Sequence, residues 1–125
     1  MKKYTLITLE EIESTNDYAV EYMSSFDDKT VISAVKQTKG HGRYNREWIY
    51  DDSSNIYMTI VLKPDNKKEY PFSNLTQYLC VVVCDTLEKD YNIYSSIKWP
   101  NDILVNDCKI SGILAQTAAE SNKIT

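Results

Sequence analysis

The chain has 125 residues and a formal net charge of −4, with 42% apolar and 26% charged side chains. That length suits one domain, and the acidic balance argues against a dedicated nucleic-acid-binding protein, which normally carries a basic surplus. No apolar run approaches the length of a transmembrane helix, and no signal-peptide pattern follows the start. We therefore expect a cytoplasmic protein that binds neither DNA nor a membrane.

The first third of the chain predicts a strand, a helix and a second strand. Residues 4–12 alternate weakly between apolar and polar side chains, as in a strand. Ser14 is a candidate helix cap, and Asp17 three residues later resembles the second half of a capping box. We expect that helix to run to about Phe26. Residues 31–36 form a short β-branched segment that predicts the next strand.

The middle of the chain predicts a long loop and a buried strand. Residues 37–55 are polar, contain glycine and show no periodic element, and loops of that length are usually functional or disordered. Residues 56–62 are apolar on both faces, which indicates a strand covered on both sides. A polar turn is expected at residues 64–70.

The last third predicts a helix followed by strands. Residues 71–90 carry apolar side chains at helical spacing, and Asn106-Asp107 is a good hairpin turn between strands at residues 103–105 and 109–116. A further strand is expected at residues 94–98. The apolar positions of the helix are Phe72, Leu75, Leu79, Val82, Val83 and Leu87. We therefore expect an α/β or α+β domain with a mixed β-sheet flanked by helices.

The three cysteines favour reduced thiols. Cys80 and Cys84 lie one turn apart on the expected helix, and Cys108 lies in the expected turn region. An odd number without metal-type clustering is typical neither of a disulfide framework nor of a zinc site.

Residues 37–48 form the first polar constellation, with two glycines, three cationic side chains, a histidine and a tryptophan. Glycines let the backbone approach a ligand closely, and cations offset phosphate or carboxylate charge. The segment lacks the Gly-Lys-Ser/Thr ending of a Walker loop and the third glycine of a dinucleotide fingerprint. By composition alone, a solvated basic loop explains it equally well.

Two further segments carry polar groups at the ends of expected strands. Lys98-Trp99-Pro100-Asn101-Asp102 offers an amide and a carboxylate at a turn, and a carboxylate beside a nucleotide could hold magnesium. Taken alone, an ordinary turn with a buried tryptophan is the better explanation. In Lys109-Ile110-Ser111-Gly112-Ile113-Leu114, a lysine precedes a glycine by three residues, which fits a ligand lying against the sheet. A solvated lysine explains that segment too.

Taken in order, these segments resemble the biotin–protein ligase family. The matching motifs are Glu13-Ser14-Thr15-Asn16, Gln37 with the glycine–arginine loop, Lys98-Trp99-Pro100-Asn101-Asp102, and Lys109 with Gly112-Ile113-Leu114. They cover roughly residues 8–117. The resemblance implies the α/β domain shared with class II aminoacyl-tRNA synthetases. It also implies activation of biotin by ATP and Mg²⁺ to biotinyl-5′-AMP, followed by transfer to a lysine of the biotin carboxyl carrier protein of acetyl-CoA carboxylase.

The resemblance also implies a role for each matching residue. Biotin would contact Ser14, Thr15, Asn16, Gln37, Gly40, His41, Gly42, Arg43, Lys109 and Gly112. The nucleotide would contact Arg43, Arg46, Trp48, Asn101, Asp102 and Lys109, with Asp102 facing the metal. Arg43 and Lys109 would be the catalytic residues, because positive charge at the acyl-phosphate bond stabilises the developing oxyanions. Both would converge on that bond.

Two residues depart from the family pattern. His41 stands where the family usually has arginine, so a fixed charge becomes one that changes near neutral pH. Asn45 stands where glycine is usual, and asparagine tolerates a left-handed backbone well enough to keep the loop shape. We expect slower or weaker retention of the adenylate.

The length of the chain also departs from the pattern. The family's catalytic domain continues past Leu114, a small carboxy-terminal domain usually follows, and some members carry a DNA-binding winged helix. The resemblance therefore implies a partial catalytic domain over residues 1–125, incomplete at its carboxyl end and without repressor function. An unpaired edge near Ile113-Leu114 predicts a homodimer, strand exchange or a complementary polypeptide. Alternatives are a truncated, non-catalytic biotin-binding module, a lipoate–protein ligase and a purely structural protein.

Overall fold

The computed structural model describes residues 3–49, 54–65 and 74–118, and these fall into two compact units. The first unit comprises Met1–Lys68 with Thr117–Thr125, and the second comprises Glu69–Gln116. Within these described ranges, no helix is long and apolar enough to cross a membrane. The expectation of a single catalytic domain over residues 1–125 stays a prediction.

A three-stranded mixed sheet organises the first unit. Its strands are β1 (Thr5–Ile12), β2 (Thr30–Gln37) and β5 (Tyr57–Val61), in the order β1-β2-β5. β1 pairs with β2 in parallel, and β2 pairs with β5 antiparallel. The three predicted strands and the mixed character of the sheet are confirmed.

The helix α1 (Thr15–Glu21) connects β1 to β2 and begins at the predicted cap. The backbone N–H of Asp17 donates to Ser14 Oγ at 3.2 Å, which satisfies one of the free donors at the helix start. After Glu21 the chain tightens into a 3₁₀ turn at Met23–Ser25, so the expected continuation of the α-helix to Phe26 was too long. Two consecutive serines favour such a turn because their side chains compete for backbone hydrogen bonds.

One face of this sheet carries the core. Ala19 of α1 packs with Ile32 of β2 and Val61 of β5. Leu9, Tyr18, Met23 and Phe26 pack against this cluster. On the opposite face of β5, Met58 is 52% exposed and Ile60 is 45% exposed, so the expectation of a strand covered on both sides was wrong. The alternation of β5 is that of a strand with one buried face.

A small hairpin occupies part of the expected loop. β3 (Gly40–His41) pairs antiparallel with β4 (Glu47–Trp48), and a 3₁₀ turn at Arg43–Asn45 joins them. The expectation of no regular element between residues 37 and 55 was therefore wrong, because two-residue strands are too short to show periodicity. Residues 50–53 lie outside the described ranges, as do residues 66–70 of the expected polar turn and residues 71–73 of the expected helix.

The second unit contains a helix and an antiparallel sheet. The elements are α2 (Leu75–Tyr91), β6 (Ser96–Lys98), β7 (Asp102–Val105) and β8 (Cys108–Gly112), and the strand order is β6-β7-β8. Asn106 and Asp107 have φ of 51° and 64°, so the predicted hairpin turn is confirmed. β8 ends at Gly112 instead of continuing to Gln116. On α2 the buried side chain is Cys80, while Val82, one of the apolar positions at helical spacing, is 41% exposed.

Candidate functional site

The parallel pairing of β1 and β2 brings their carboxyl ends side by side, with Ile12 opposite Gln37. The pairing continues past both strands, because the Thr38 N–H donates to Ile12 O at 3.0 Å and the Lys39 N–H donates to Glu13 O at 2.7 Å. Ligands in α/β sheets bind beyond the carboxyl ends of strands. Ser14-Thr15-Asn16 and Gln37 therefore meet where a ligand site is expected.

Gln37 holds the start of α1. Its Oε1 accepts from the backbone N–H of Thr15 at 2.9 Å and from the Thr15 hydroxyl at 3.2 Å. Gln37 is only 9% exposed, and Ser14 and Thr15 are buried. Buried polar groups with satisfied hydrogen bonds are fixed in orientation. The four residues predicted to line the biotin ring are thus brought together within one unit.

Gly40 is required by its neighbours. A Cβ at Gly40 would lie 2.4 Å from Gln37 Nε2 and 3.1 Å from Trp48 Cβ, so any other residue would displace the buried amide or the tryptophan. Gly42 differs, since among the residues that the structure describes a Cβ there would meet only the Arg46 carbonyl oxygen, at an ordinary contact distance of 3.9 Å. At Gly40 the group that lies close to the backbone is the side chain of Gln37, and the predicted approach of a ligand to these glycines stays a prediction.

His41 ties the hairpin to the helix. Its Nε2 lies 2.9 Å from Asp17 Oδ1, and the histidine side chain is largely buried while the aspartate is exposed. Asp17 therefore donates its backbone N–H to the Ser14 cap and directs its carboxylate to His41. The capping-box pattern predicted the first of these two bonds and missed the second.

The loop of the hairpin presents its cations to solvent. The Gly42 N–H donates to Arg46 O at 2.7 Å, which closes the turn. Tyr44 and Asn45 have φ of 58° and 56°. The expectation that Asn45 keeps a left-handed backbone is confirmed, whereas the left-handed Tyr44 was not predicted. The Arg43 guanidinium lies 5.1 Å from the centre of the Tyr44 ring, and both arginines are exposed.

Thr59 joins this site and was missed in the sequence. Its hydroxyl lies 2.8 Å from Thr15 Oγ1 and is also hydrogen bonded to Asn16 Oδ1. Thr59 lies on β5 between Tyr57 and Val61, the two buried residues of that strand. A polar residue in register with inward-facing apolar residues was the signal that could have identified it.

In the second unit, Lys109 is held by a carboxylate. Lys109 Nζ lies 3.0 Å from Asp102 Oδ1, across the β7–β8 hairpin. The lysine side chain is partly exposed, while the aspartate side chain is mostly buried. Both residues were predicted to be at the site, but their contact with each other was not. The structure describes Arg43 and Lys109 in separate units, so the expected convergence of the two cations stays a prediction.

Asn101 links the turn before β7 to the end of β8. Its side-chain Nδ2 donates to Ile113 O at 3.1 Å, and its backbone oxygen accepts from the Ile113 N–H at 3.0 Å. Ile113 therefore has partners for both backbone groups, whereas β8 still lies at an edge of its sheet, so the pairing of that edge with another chain stays a prediction. Asn101 therefore supports the hairpin, and its contact with a nucleotide stays a prediction.

The segment around Trp99 does not bury its tryptophan. Trp99 is 75% exposed, so the alternative of an ordinary turn with a buried tryptophan is wrong in its second part. Beneath the turn, the Cys80 thiol lies 4.0 Å from the Pro100 carbonyl oxygen. Burial raises the pKa of Cys80 above its usual value, and the neighbouring Cys84 and Asp102 raise it further. All three cysteines are free thiols.

Comparison with known proteins identifies the class. The model of the Biotin/lipoate A/B protein ligase family matches residues 8–125, and the chain belongs to this family. The bifunctional ligase/repressor BirA of Bacillus spizizenii is 36% identical over 120 residues, which cover 95% of this chain and 37% of the relative. The biotin–[acetyl-CoA-carboxylase] ligase of Paracoccus denitrificans is 30% identical over 108 residues, covering 85% of this chain and 44% of the relative.

A solved structure confirms the fold. The biotin protein ligase from Aquifex aeolicus in complex with biotin and ATP matches with a TM-score of 0.75 and 34% identity. The match covers 91% of this chain and 47% of that chain. The expected α/β fold of biotin ligases, which is of the class II aminoacyl-tRNA synthetase type, is therefore confirmed. The chain spans less than half the length of these relatives.

Proposed function

We propose that this chain acts in biotin–protein ligation, in which biotin is activated by ATP to biotinyl-5′-AMP and transferred to a lysine of a carrier protein. The observation that carries this proposal is the buried hydrogen-bond network of Thr15 and Gln37 at the carboxyl ends of two parallel strands. Family membership and the conjunction of all four motifs support it.

The network suits the ring of biotin. A ureido group both donates and accepts hydrogen bonds, and hydroxyl and amide side chains offer both functions. Ser14, Thr15, Asn16 and Gln37 supply such groups. Thr15 and Gln37 are buried and bond to each other, Ser14 accepts from the Asp17 N–H, and Asn16 accepts from the Thr59 hydroxyl. Pre-organised partners lose little entropy on binding, which favours affinity for a small rigid ring.

The cations suit the charged end of the reaction. Adenylation of a carboxylate builds negative charge on the reacting oxygens, and positioned cations stabilise that charge without a side-chain nucleophile. Arg43 and Arg46 are exposed on a hairpin loop, and Lys109 is oriented by Asp102. We assign Arg43 and Lys109 to charge stabilisation, with Arg46, Trp48 and Asn101 at the nucleotide.

We propose that magnesium is bound by one protein carboxylate. Within the residues that the structure describes, no group of three or more His, Cys, Asp or Glu side chains could hold a metal ion. Magnesium that arrives with phosphates commonly takes only one or two protein carboxylates. Asp102, already paired with Lys109, fits that role alone, and the ion would offset the charge of the triphosphate.

Titration calorimetry and isotope exchange test the proposed function. The 125-residue chain is titrated with biotin and then assayed for biotin-dependent exchange between ATP and pyrophosphate. Saturable binding with exchange supports ligation. Binding without exchange would favour a non-catalytic biotin-binding module, and preferential binding of lipoate would favour a lipoate–protein ligase. Absence of binding to both contradicts the proposal.

The proposed partners follow from the same assignment. We propose that the acceptor is the biotin carboxyl carrier protein of acetyl-CoA carboxylase and that the reaction takes place in the cytoplasm. A homodimer is also proposed, because β8 lies at an edge of its sheet and its Ile110 is 51% exposed. Size-exclusion chromatography with light scattering tests the dimer, and a monomer at high concentration would contradict it.

A further inference from the structure

Thr59 lies beside β2, the strand that ends in Gln37, and its hydroxyl contacts the start of α1, which holds Thr15. It lies on β5, which pairs with β2, and its hydroxyl is 2.8 Å from Thr15 Oγ1. The same hydroxyl is hydrogen bonded to Asn16 Oδ1. With the Thr15–Gln37 hydrogen bond at 3.2 Å, these contacts connect four side chains in a row, from Gln37 through Thr15 and Thr59 to Asn16.

The number of hydroxyl protons restricts which groups donate and which accept in this row of hydrogen bonds. Each threonine hydroxyl carries one proton, so Thr59 can donate to Thr15 or to Asn16 but not to both. If Thr59 donates to Asn16, Thr15 must donate to Thr59, and Gln37 Oε1 keeps only the backbone N–H of Thr15. If Thr59 donates to Thr15, the Asn16 amide must turn its nitrogen toward Thr59.

Both arrangements depend on the Thr59 hydroxyl. It determines whether Asn16 offers its oxygen or its nitrogen elsewhere, and whether Thr15 donates to Gln37 or to Thr59. These are the groups proposed to meet the ureido ring. We propose that Thr59 is a positioning residue that sets the donor and acceptor polarity of Thr15 and Asn16 and thereby selects a ureido ligand. This inference rests on the proposed function.

The test removes the hydroxyl with little change of shape. Thr59→Val is isosteric and lacks the hydroxyl, Thr59→Ser keeps it, and Thr8→Val is a control on β1 at an exposed position. Binding of biotin and of 2-iminobiotin, which differ only at the ureido oxygen, is measured by calorimetry on the full chain. Thr59→Val should weaken biotin about tenfold, as expected for a lost hydrogen bond in a buried network, and 2-iminobiotin by a much smaller factor.

The ratio of the two affinities separates positioning from mere structural support. A structural role would weaken both ligands by the same factor, and that result would overturn the proposal. Thr59→Ser should restore the parent ratio, and Thr8→Val should leave it unchanged. A Thr59→Ser variant that behaves like Thr59→Val would also overturn the proposal, because the hydroxyl would then not be the active group.

A measurement without ligand keeps this inference distinct from the proposed function. In ¹⁵N–¹H spectra, the side-chain amide signals of Asn16 should differ between the parent and Thr59→Val and should match the parent in Thr59→Ser. Unchanged Asn16 signals would refute positioning even if biotin binds. If the parent binds no biotin, the proposed function and the ureido selectivity both fail, while the spectra still decide whether Thr59 orients Asn16.

Discussion

Polar side chains are buried in the network around Gln37 and exposed in the loop at residues 42–46. In the network, each side chain bonds to another that is distant in sequence, and Thr15 and Gln37 are shielded from solvent. In the loop, the arginines are exposed, and Arg43 contacts only its neighbour Tyr44 among the interactions described. Under the proposed function, a neutral ring would meet groups that the fold already orients, whereas a charged group would meet Arg43 and Arg46, which a ligand must order.

The strongest test of this comparison removes the cations. Lys109→Ala and Arg43→Ala should each lower biotin-dependent pyrophosphate exchange about 100-fold, the loss typical of removing one stabilising donor or charge. For Arg43→Ala, the free energy of unfolding should stay within about 0.5 kcal/mol of the parent, because exposed side chains contribute little to stability. Lys109→Ala should cost more, because it removes the ion pair of the mostly buried Asp102 carboxylate. Lys89→Ala, an exposed lysine paired with Asp85 on α2, is the matched control. Variants with parent activity would show that the residue assignments are wrong.

The second test disrupts the network by a steric overlap with Gln37. Gly40→Ala should destabilise the fold by about 1–3 kcal/mol, the usual range for overpacking, because its Cβ would overlap the Gln37 amide. Biotin affinity should fall with it. Gly42→Ala meets no such neighbour, so its unfolding midpoint in urea should match that of the parent. Equal destabilisation by both substitutions would contradict the steric assignment of Gly40.

The third test concerns the contact that joins the two regions. His41→Ala removes the 2.9 Å bond to Asp17 and should cost no more than about 1 kcal/mol, since the aspartate is exposed. His41→Arg restores a permanent charge and should slow release of the adenylate several-fold. Dissociation of labelled biotinyl-5′-AMP measures this effect. A faster release from His41→Arg than from the parent would show that the histidine itself is the better group at this place.

The smallest effect is expected beneath the turn of the second unit. The raised pKa of Cys80 means that its thiolate is disfavoured in the folded state, so this residue contributes stability below pH 9.0 that is lost as the pH rises through the raised pKa. The urea midpoint of the parent should therefore fall slightly more between pH 8 and pH 10 than that of Cys80→Ala. Iodoacetamide should modify exposed Cys108 more than about tenfold faster than buried Cys80. Equal rates would contradict that burial.

Local signals in the sequence predicted most of the elements. Ser14 as a cap, Asn45 as a left-handed residue and the Asn106-Asp107 turn each depend on side chain and backbone within a few positions. The pairing of Thr59 with Thr15 depends on a separation of 44 residues and on the register of two strand pairs. No local pattern encodes that register, which explains why the contact between Thr59 and Thr15 was missed.

The resemblance supplied what local patterns could not. It placed Thr15, Asn16 and Gln37 at one site, and the structure brings these residues together. It could not supply the Asp17 contact of His41, because the family usually has arginine at that place. It also did not predict the exposed face of β5, since Met58 and Ile60 look in sequence like residues of a strand that is buried on both sides.

The spacing of the network residues along the chain has a consequence for protein synthesis. Thr15 precedes Gln37 by 22 residues and Thr59 by 44. A nascent chain that has left the ribosome only as far as β2 can pair its first two strands but still lacks the third participant. The hydrogen bonds that join Thr15, Gln37 and Thr59 can therefore be completed only after β5 has emerged and joined the sheet, and under the proposed function biotin binding would follow that step.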